Sequence, residues 1–248
     1  MSFFDQYDRF YSTTRTGSHP NRMNSRYSAI IEPNLDLIRD RTVLDIASHD
    51  GRWTFAALMA GARHAIGIEG RAHLVDAARQ SMAHYGIGSD RYKFYVGDIC
   101  DVLETERIKV DTVLCLGFFY HTHRHFEIAS LLAATGASHI VLDTALAIGP
   151  QPGKAFIEYA LEPTDKDGAP LGPRDREIVG RPSRKALEWM FAQHGFELSD
   201  NDSSVGVDDP LGIEDYKNGR RAIFRLTRAT PAHNGQYSTA MPSVEMSR

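Results

Sequence analysis

The stretch TVLDIASHDGRWTF, Thr42 to Phe55, decides the fold. Val43, Leu44 and Ile46 make a short apolar run of strand length, a polar loop follows, and RWTFAALM then keeps helical spacing. A strand feeding a tight loop and then a helix is the opening unit of a parallel α/β sheet. Glycine-rich loops often fill this position, with two or three glycines; this loop has one, Gly51.

Working outward, the rhythm repeats. RWTFAALMAGA closes at Gly61, HAIGIEG reads as a second strand, and RAHLVDAARQSMAHYG as a helix ended by Gly86. Leu74, Val75, Ala78 and Met82 share one face of it. YKFYVGDI and VDTVLCLGFF read as strands three and four, HFEIASLLAATG as a helix, and HIVLDTAL as strand five. Prolines crowd residues 149–182, which break the pattern. SRKALEWMFAQHG is a helix with Ser183 as N-cap and Gly195 just past its end, and FELSDND and RRAIFRLTRA close the series. The spacing predicts an α/β, Rossmann-like fold: a seven-stranded, mostly parallel sheet with a terminal antiparallel hairpin and helices on both faces. Residues 1–41 read as a helical cap interrupted at Pro33, 42–229 as the main domain, and 230–248 as a polar, disordered tail.

Ligands of open α/β sheets bind beyond the carboxyl ends of the strands. Three acids recur there: Asp45 within strand one, Glu69 ending strand two, and Asp98 ending strand three. A carboxylate at the end of strand two suits a ribose diol, and Asp98 suits an exocyclic amine. Asp45 does not suit a pyrophosphate, because like charges repel; it suits a cationic ligand. Each acid also has a structural reading: Asp45 shaping the turn, Glu69 as a solvated strand end, Asp98 capping the next turn.

VLDIASHDGRWTFAALMAGARHAIGIEG resembles the first two motifs of class I S-adenosylmethionine-dependent methyltransferases, YVGDI the third, and VDTVLCLGFFYH the fourth. The resemblance implies S-adenosylmethionine as cofactor and S-adenosylhomocysteine as product. It assigns cofactor contacts to Asp45, Ala47, His49, Gly51, Glu69 with Gly70, Asp98 with Ile99, and Leu116 with Gly117. Ala47 and His49 replace the first two glycines of the family loop. His49 is tolerated if its φ is negative and its side chain turns away from the ligand. DTVLCLGFFYHTHRH is also similar to a segment of tRNA wobble-uridine carboxymethyltransferases and of small-molecule methyltransferases.

Methyl transfer to oxygen or nitrogen needs an acceptor held in line and a base near neutral pKa. His121 is the candidate base, with Tyr120 orienting the acceptor or the cofactor. Candidate acceptor contacts are Tyr11, Arg15 and Arg26 from the aromatic, arginine-rich N-terminal segment, and Tyr159 and Arg176 from the 149–182 insertion, with Phe156 and Arg174 beside them. Trp53 and Trp189 read as core. His121, His123 and His125, with Asp143 nearby, raise a metal question, but no completed ligand pattern is present and no metal is assigned.

Composition narrows the rest. The 248 residues carry a formal net charge of -4, which argues against binding bare nucleic acid. No apolar stretch approaches the roughly 18 residues of a membrane span. Cys100 and Cys115, both read as strand residues, fit a reducing, cytoplasmic setting. ASHDGR lacks the G-x-G-x-x-G of nicotinamide-dependent oxidoreductases. A small-molecule acceptor is expected; an RNA-modifying transferase and a silent cofactor-binding module are the alternatives, and a homodimer is left open.

Overall fold

The computed structural model describes residues 1–13, 15–149, 153–163, 176–201 and 212–229. The chain opens with α1 (Phe3–Gln6), α2 (Arg9–Thr13), α3 (Pro20–Ile30) and α4 (Leu35–Ile38). Pro20 sits in the first turn of α3, where its missing amide costs nothing. Near Pro33 the helix tightens into a 3-10 turn, Glu32–Asn34, before α4. Strands and helices then alternate: β1 (Thr42–Ile46), α5 (Arg52–Met59), β2 (His64–Glu69), α6 (Ala72–His84), β3 (Tyr92–Val96), α7 (Ile99–Glu106), β4 (Thr112–Leu116), α8 (His125–Ala134) and β5 (His139–Ala145). After these come β6 (Ile157–Pro163), β7 (Arg176–Pro182), α9 (Arg184–Ala192), β8 (Phe196–Asp200), α10 (Glu214–Lys217) and β9 (Arg221–Arg228).

Seven strands form one sheet in the order β3-β2-β1-β4-β5-β9-β8. The first five are parallel, and β9 runs antiparallel between β5 and β8. The chain leaves β1 for β2 on one side and returns to β4 on the other. The switch point of the strand order therefore lies between β1 and β4, where a ligand crevice is expected.

Side chains alternate across each strand, and this fixes the two cores. Leu44, Ile46, Val113, Cys115, Ile140 and Leu142 face α7, α8 and α9. Val43, Leu114, Leu116 and Val141 face the other way, onto α5, α6 and the N-terminal segment. Phe4, Phe10, Met23 and Ile30 from that segment are buried in the second core, with Trp53, Phe55 and Tyr85 among their neighbours. Each fully buried aromatic or aliphatic side chain contributes about 1.5–3 kcal/mol, so the segment is an integral layer. The same alternation sends Asp45 and Asp143 to the N-terminal side of the sheet.

Three departures from the sequence reading are plain. Residues Ile99–Glu106 form a helix, α7, where the sequence reading passes directly from strand three to strand four. Cys100 accordingly lies on a helix; Cys115 is on β4, and both are buried free thiols. The 149–182 insertion contains a separate two-stranded antiparallel sheet, β6 with β7. Trp189 is 59% exposed on α9 and is not core, whereas Trp53 is buried. Leu187, Met190 and Phe191 already fill the inner stripe of α9, and Trp189 falls off it. The tail from residue 230 lies outside the described residues.

Candidate functional site

The loop after β1 takes the left-handed conformation at every second residue: Ala47 has φ 52°, His49 φ 54° and Gly51 φ 76°. The expectation of a negative φ at His49 is therefore corrected. These are the three positions where the family places glycine, and the backbone keeps the glycine shape without the glycines. A non-glycine residue in that region costs roughly 1–2 kcal/mol. The loop is tied down accordingly. Ser48 N donates to Ile68 O at 2.9 Å, His49 N to Glu69 Oε2 at 3.0 Å, and Gly51 N to Ser48 O at 2.9 Å. Gly51 alone also needs the space, since a Cβ there would lie 2.7 Å from Ala78 Cβ.

Asp45 is buried beneath the loop and accepts from Thr54 Oγ1 at 2.7 Å. Burial pushes its carboxyl up to about 7, against the lowering effect of Thr54 and Arg52. The folded state therefore holds this proton more tightly than the unfolded chain. Asp45 contributes stability that is fully present below pH ~4 and is lost as pH rises through ~7. Asp45→Asn is thus expected to melt above the parent at pH 8, with the gap closing by pH 5. Paired melts at the two pH values check it; a gap independent of pH would show that Asp45 does not titrate this way.

Beside it, fully buried Asp50 accepts from Arg52 Nη1 at 2.8 Å and from Thr13 Oγ1 at 2.7 Å. Burial opposes its ionisation, but the Arg52 guanidinium together with His49 and the Thr13 hydroxyl outweighs that and holds the carboxyl low. The His49 ring lies against the same pair, its Nδ1 3.5 Å from Asp50 and 3.4 Å from Arg52 Nη1. The N-terminal segment is thus anchored directly to the loop through Thr13.

Glu69 at the end of β2 is buried and accepts from His49 N, from Arg71 N at 3.1 Å and from Arg71 Nε at 2.8 Å. A carboxylate has about four acceptor sites, so one remains. Gly70 carries the chain on from Glu69 into α6. Asp98 caps α7: its Oδ1 accepts from Cys100 N at 2.9 Å and from Asp101 N at 3.3 Å. The capping role weighed from the sequence is therefore real; Oδ2 of Asp98 has no partner among the described residues. Ile99 starts α7 and is buried. Leu116 ends β4, and Gly117 follows with φ 83°, its amide donating to Asp143 O at 2.8 Å.

The chain next makes a 3-10 turn, Phe119–His121. The Tyr120 and His121 rings lie 4.0 Å apart, and His121 Nδ1 is 3.6 Å from Glu177 Oε1 on β7. The β6–β7 hairpin therefore packs beside the turn. His125 is buried, with its Nε2 2.9 Å from Gly180 O, while His123 is exposed. The three histidines thus point to different surroundings, and no group of three or more metal-ligating residues exists among the described residues.

Asp143 serves a different purpose from the one the sequence suggests. It is fully buried and accepts from Arg26 Nη2, from Arg221 Nε at 2.8 Å and Nη2 at 3.1 Å, and from Tyr216 Oη at 3.0 Å. Burial alone would raise its carboxyl, but Arg221 and Arg26 outweigh it and hold it far below the usual range. Arg22, one helical turn before Arg26, makes a two-pronged contact with Asp215 at 2.8 Å. Sequence reasoning does not single out Arg221, Tyr216, Arg22 and Asp215 together. An aspartate inside the apolar run HIVLDTA is the available signal, because a buried charge needs a partner.

The other predicted acceptor residues are dispersed. The Tyr11 hydroxyl is held within the N-terminal segment by Asp5 at 2.7 Å and Asn24 at 2.9 Å. Tyr159 and Arg176 are exposed on the hairpin, and Phe156 is half-buried just before β6. Arg15 starts a 3-10 turn, and Arg174 lies outside the described residues.

The arrangement fits S-adenosylmethionine. The alternating left-handed loop after β1, the carboxylate ending β2 and Asp98 at the start of α7 all lie beyond the carboxyl ends of β1, β2 and β3, and Ser48 Oγ in the loop is buried without a partner among the described residues. Residues 43–136 match the family model of a methyltransferase domain. Over that stretch the chain is similar to a methyltransferase domain, and its sheet order is that of the solved S-adenosylmethionine-dependent methyltransferases. Solved structures similar to the chain agree in fold. Magnesium protoporphyrin IX methyltransferase from Synechocystis PCC 6803, bound to S-adenosylhomocysteine, is 13% identical, with 91% of this chain and 95% of that one covered and a TM-score of 0.57. The 1,6-didemethyltoxoflavin-N1-methyltransferase of Burkholderia thailandensis is 15% identical over 92% and 89%, with a TM-score of 0.55. A putative RNA methyltransferase from Pyrococcus horikoshii is 15% identical over 84% of each chain, with a TM-score of 0.52. No curated protein matches the chain in sequence.

Proposed function

We propose that this methyltransferase acts on an oxygen or nitrogen of a small-molecule acceptor, with His121 as the base and Tyr120 beside it. The observation that carries the reading is the Phe119–His121 turn just beyond β4, which sets Tyr120 and His121 side by side next to Gly117. Arg26 of α3 is tied to Asp143 near Gly117, and Glu177 of β7 stands 3.6 Å from His121. In this reading residues 1–41 act as a lid over a transferase domain spanning 42–229, and the insertion 149–182 forms the acceptor side. When bound, S-adenosylmethionine supplies a methyl group on a cationic sulfur that leaves as a neutral thioether. Glu69 and Asp98 would hold its ribose and adenine, the 47–51 loop and Gly117 its methionine part, and His121 would take the proton lost by the acceptor.

No helix among the described residues is long and apolar enough to cross a membrane. Two buried free thiols suit a reducing, cytoplasmic setting. A screen of hydroxylated and carboxylated metabolites for S-adenosylhomocysteine release, with a tRNA arm, tests the acceptor class. Release on tRNA alone overturns the small-molecule reading.

Glu69→Ala is expected to weaken S-adenosylhomocysteine binding by roughly 1–3 kcal/mol, because a buried charge-assisted contact is lost. Calorimetry checks this; unchanged affinity takes Glu69 out of the site.

A further inference from the structure

Several charges at the carboxyl edge of the sheet pair one to one. Arg52 is matched by Asp50, Arg71 by Glu69 and Arg22 by Asp215. Arg26 and Arg221 share the single carboxylate of Asp143. Arg26 and Arg221 are each 7% exposed and Asp143 is fully buried, so this cluster holds two cations against one carboxylate. Tyr216, the remaining polar partner, has its ionisation pushed up chiefly by burial and stays a neutral phenol. A buried, uncompensated cation is costly.

A second observation points to what compensates it. Arg26 Nε is buried and makes no hydrogen bond among the described residues. The two guanidinium groups converge on Gly117: a Cβ at that residue would lie 2.9 Å from Arg221 Nη2 and 3.7 Å from Arg26 Nη2. The absent side chain lets both groups approach the end of β4. Flat walls flank them. Arg26 lies over Trp53 at 5.0 Å, and Arg221 over Tyr120 at 5.5 Å. Tyr120 in turn lies 4.0 Å from the His121 ring, so one tyrosine touches both Arg221 and the candidate base.

We infer that Arg26 and Arg221 form an oxyanion seat, and that the methyl acceptor is a compact acid whose carboxylate or phosphate-type group docks there while its nucleophilic atom lies at His121. This rests on the acceptor side proposed above. Asp143 then positions the two guanidinium groups, and the ligand's negative charge completes the balance. The seat would favour acids over their neutral amides or esters, since a neutral group leaves the buried charge unmatched.

The test uses the full chain saturated with S-adenosylhomocysteine, with inorganic phosphate and malonate as separate probes in thermal melts at fixed ionic strength. The parent is expected to gain stability with either probe, and the larger response marks the preferred anion type. In Arg26→Gln the remaining Arg221–Asp143 pair is neutral, so the variant is expected to fold. It is expected to lose the anion response while binding S-adenosylhomocysteine within about threefold of the parent. Arg26→Lys, which keeps the charge without the fork, is expected to respond in between and serves if the glutamine variant is too unstable. No anion response in the parent overturns the proposal. So does a cofactor affinity reduced about tenfold or more in the variants, which would assign the arginines to the cofactor's own carboxylate. A parent that binds no S-adenosylhomocysteine at all would instead strike at the cofactor site, so the two failures are separable.

Discussion

Asp143→Ala is expected to destabilise the protein by about 3–5 kcal/mol, several times the loss expected from breaking an exposed ion pair. The carboxylate is fully buried and receives hydrogen bonds from Arg26, Arg221 and Tyr216. Removing it leaves two guanidinium groups facing each other with no anion between them. The penalty is that of the stranded charges, which exceeds the net worth of the bridge when intact. For a chain of this size the loss corresponds to a melting temperature lower by roughly 6–20 °C. Asp143→Asn separates charge from shape. It keeps an acceptor oxygen for Arg221 but no charge, so it is expected to lose most of the same stability. Melts of both variants check this; an asparagine variant as stable as the parent would show that hydrogen bonding, not charge balance, holds the cluster.

That cluster also marks where the sequence becomes hard to read. The central sheet is legible because each strand is a short apolar run bounded by turn residues, and each helix carries one apolar stripe. TVLDIAS, HAIGIEG and HIVLDTAL fall on β1, β2 and β5 within two residues at their ends. Helix α7 is hidden because ICDVLETE is only two turns long and follows directly on a strand. Its cap, Asp98, reads equally well as an adenine contact, although an N-capping aspartate before an apolar-periodic segment is itself a helix signal. The β6–β7 hairpin is hidden by proline density. Its strands alternate weakly, and Tyr159, Leu161 and Ile178 are all exposed, so burial imposes no clear pattern.

The loop shows a different limit. The sequence shows that glycines are missing at positions 47 and 49, yet φ at a non-glycine residue is set by its surroundings. Glu69 on the neighbouring strand holds the His49 amide, and buried Asp50 binds both Arg52 and the N-terminal Thr13. These contacts join residues far apart in the chain. The Asp143 cluster does the same, drawing Arg26 from α3 and Arg221 from β9 to one carboxylate. Periodicity reports on neighbours along an element, not on such distant pairings. A lone acid in an apolar strand predicts that a polar partner exists, but not which one: Asp45 finds the Thr54 hydroxyl and Asp143 two arginines.

The second large effect concerns the turn after β4. His121→Ala is expected to lower turnover by roughly 10²–10⁴-fold if the histidine is the base for a hydroxyl or amine acceptor. Its geometry suits proton removal. The ring lies tilted against Tyr120 at 4.0 Å, and Nδ1 faces Glu177 across 3.6 Å, longer than a hydrogen bond but within ion-pair range. A carboxylate on that side favours the proton on Nδ1 and places the basic lone pair on Nε2. Glu177 would then be a positioning residue, and Glu177→Gln is expected to reduce kcat by a smaller factor. It should also move the acidic limb of the pH–rate profile to lower pH, because a lost negative neighbour makes the imidazole easier to deprotonate. Cofactor affinity should stay near that of the parent in both variants, since neither residue belongs to the loop or to the acids ending β2 and β3. A fall in affinity matching the fall in turnover would instead place His121 among the cofactor contacts. Turnover unchanged within about threefold would leave it a packing partner of Tyr120. The acceptor would then reach the site already ionised, or attack through a nitrogen that needs no base.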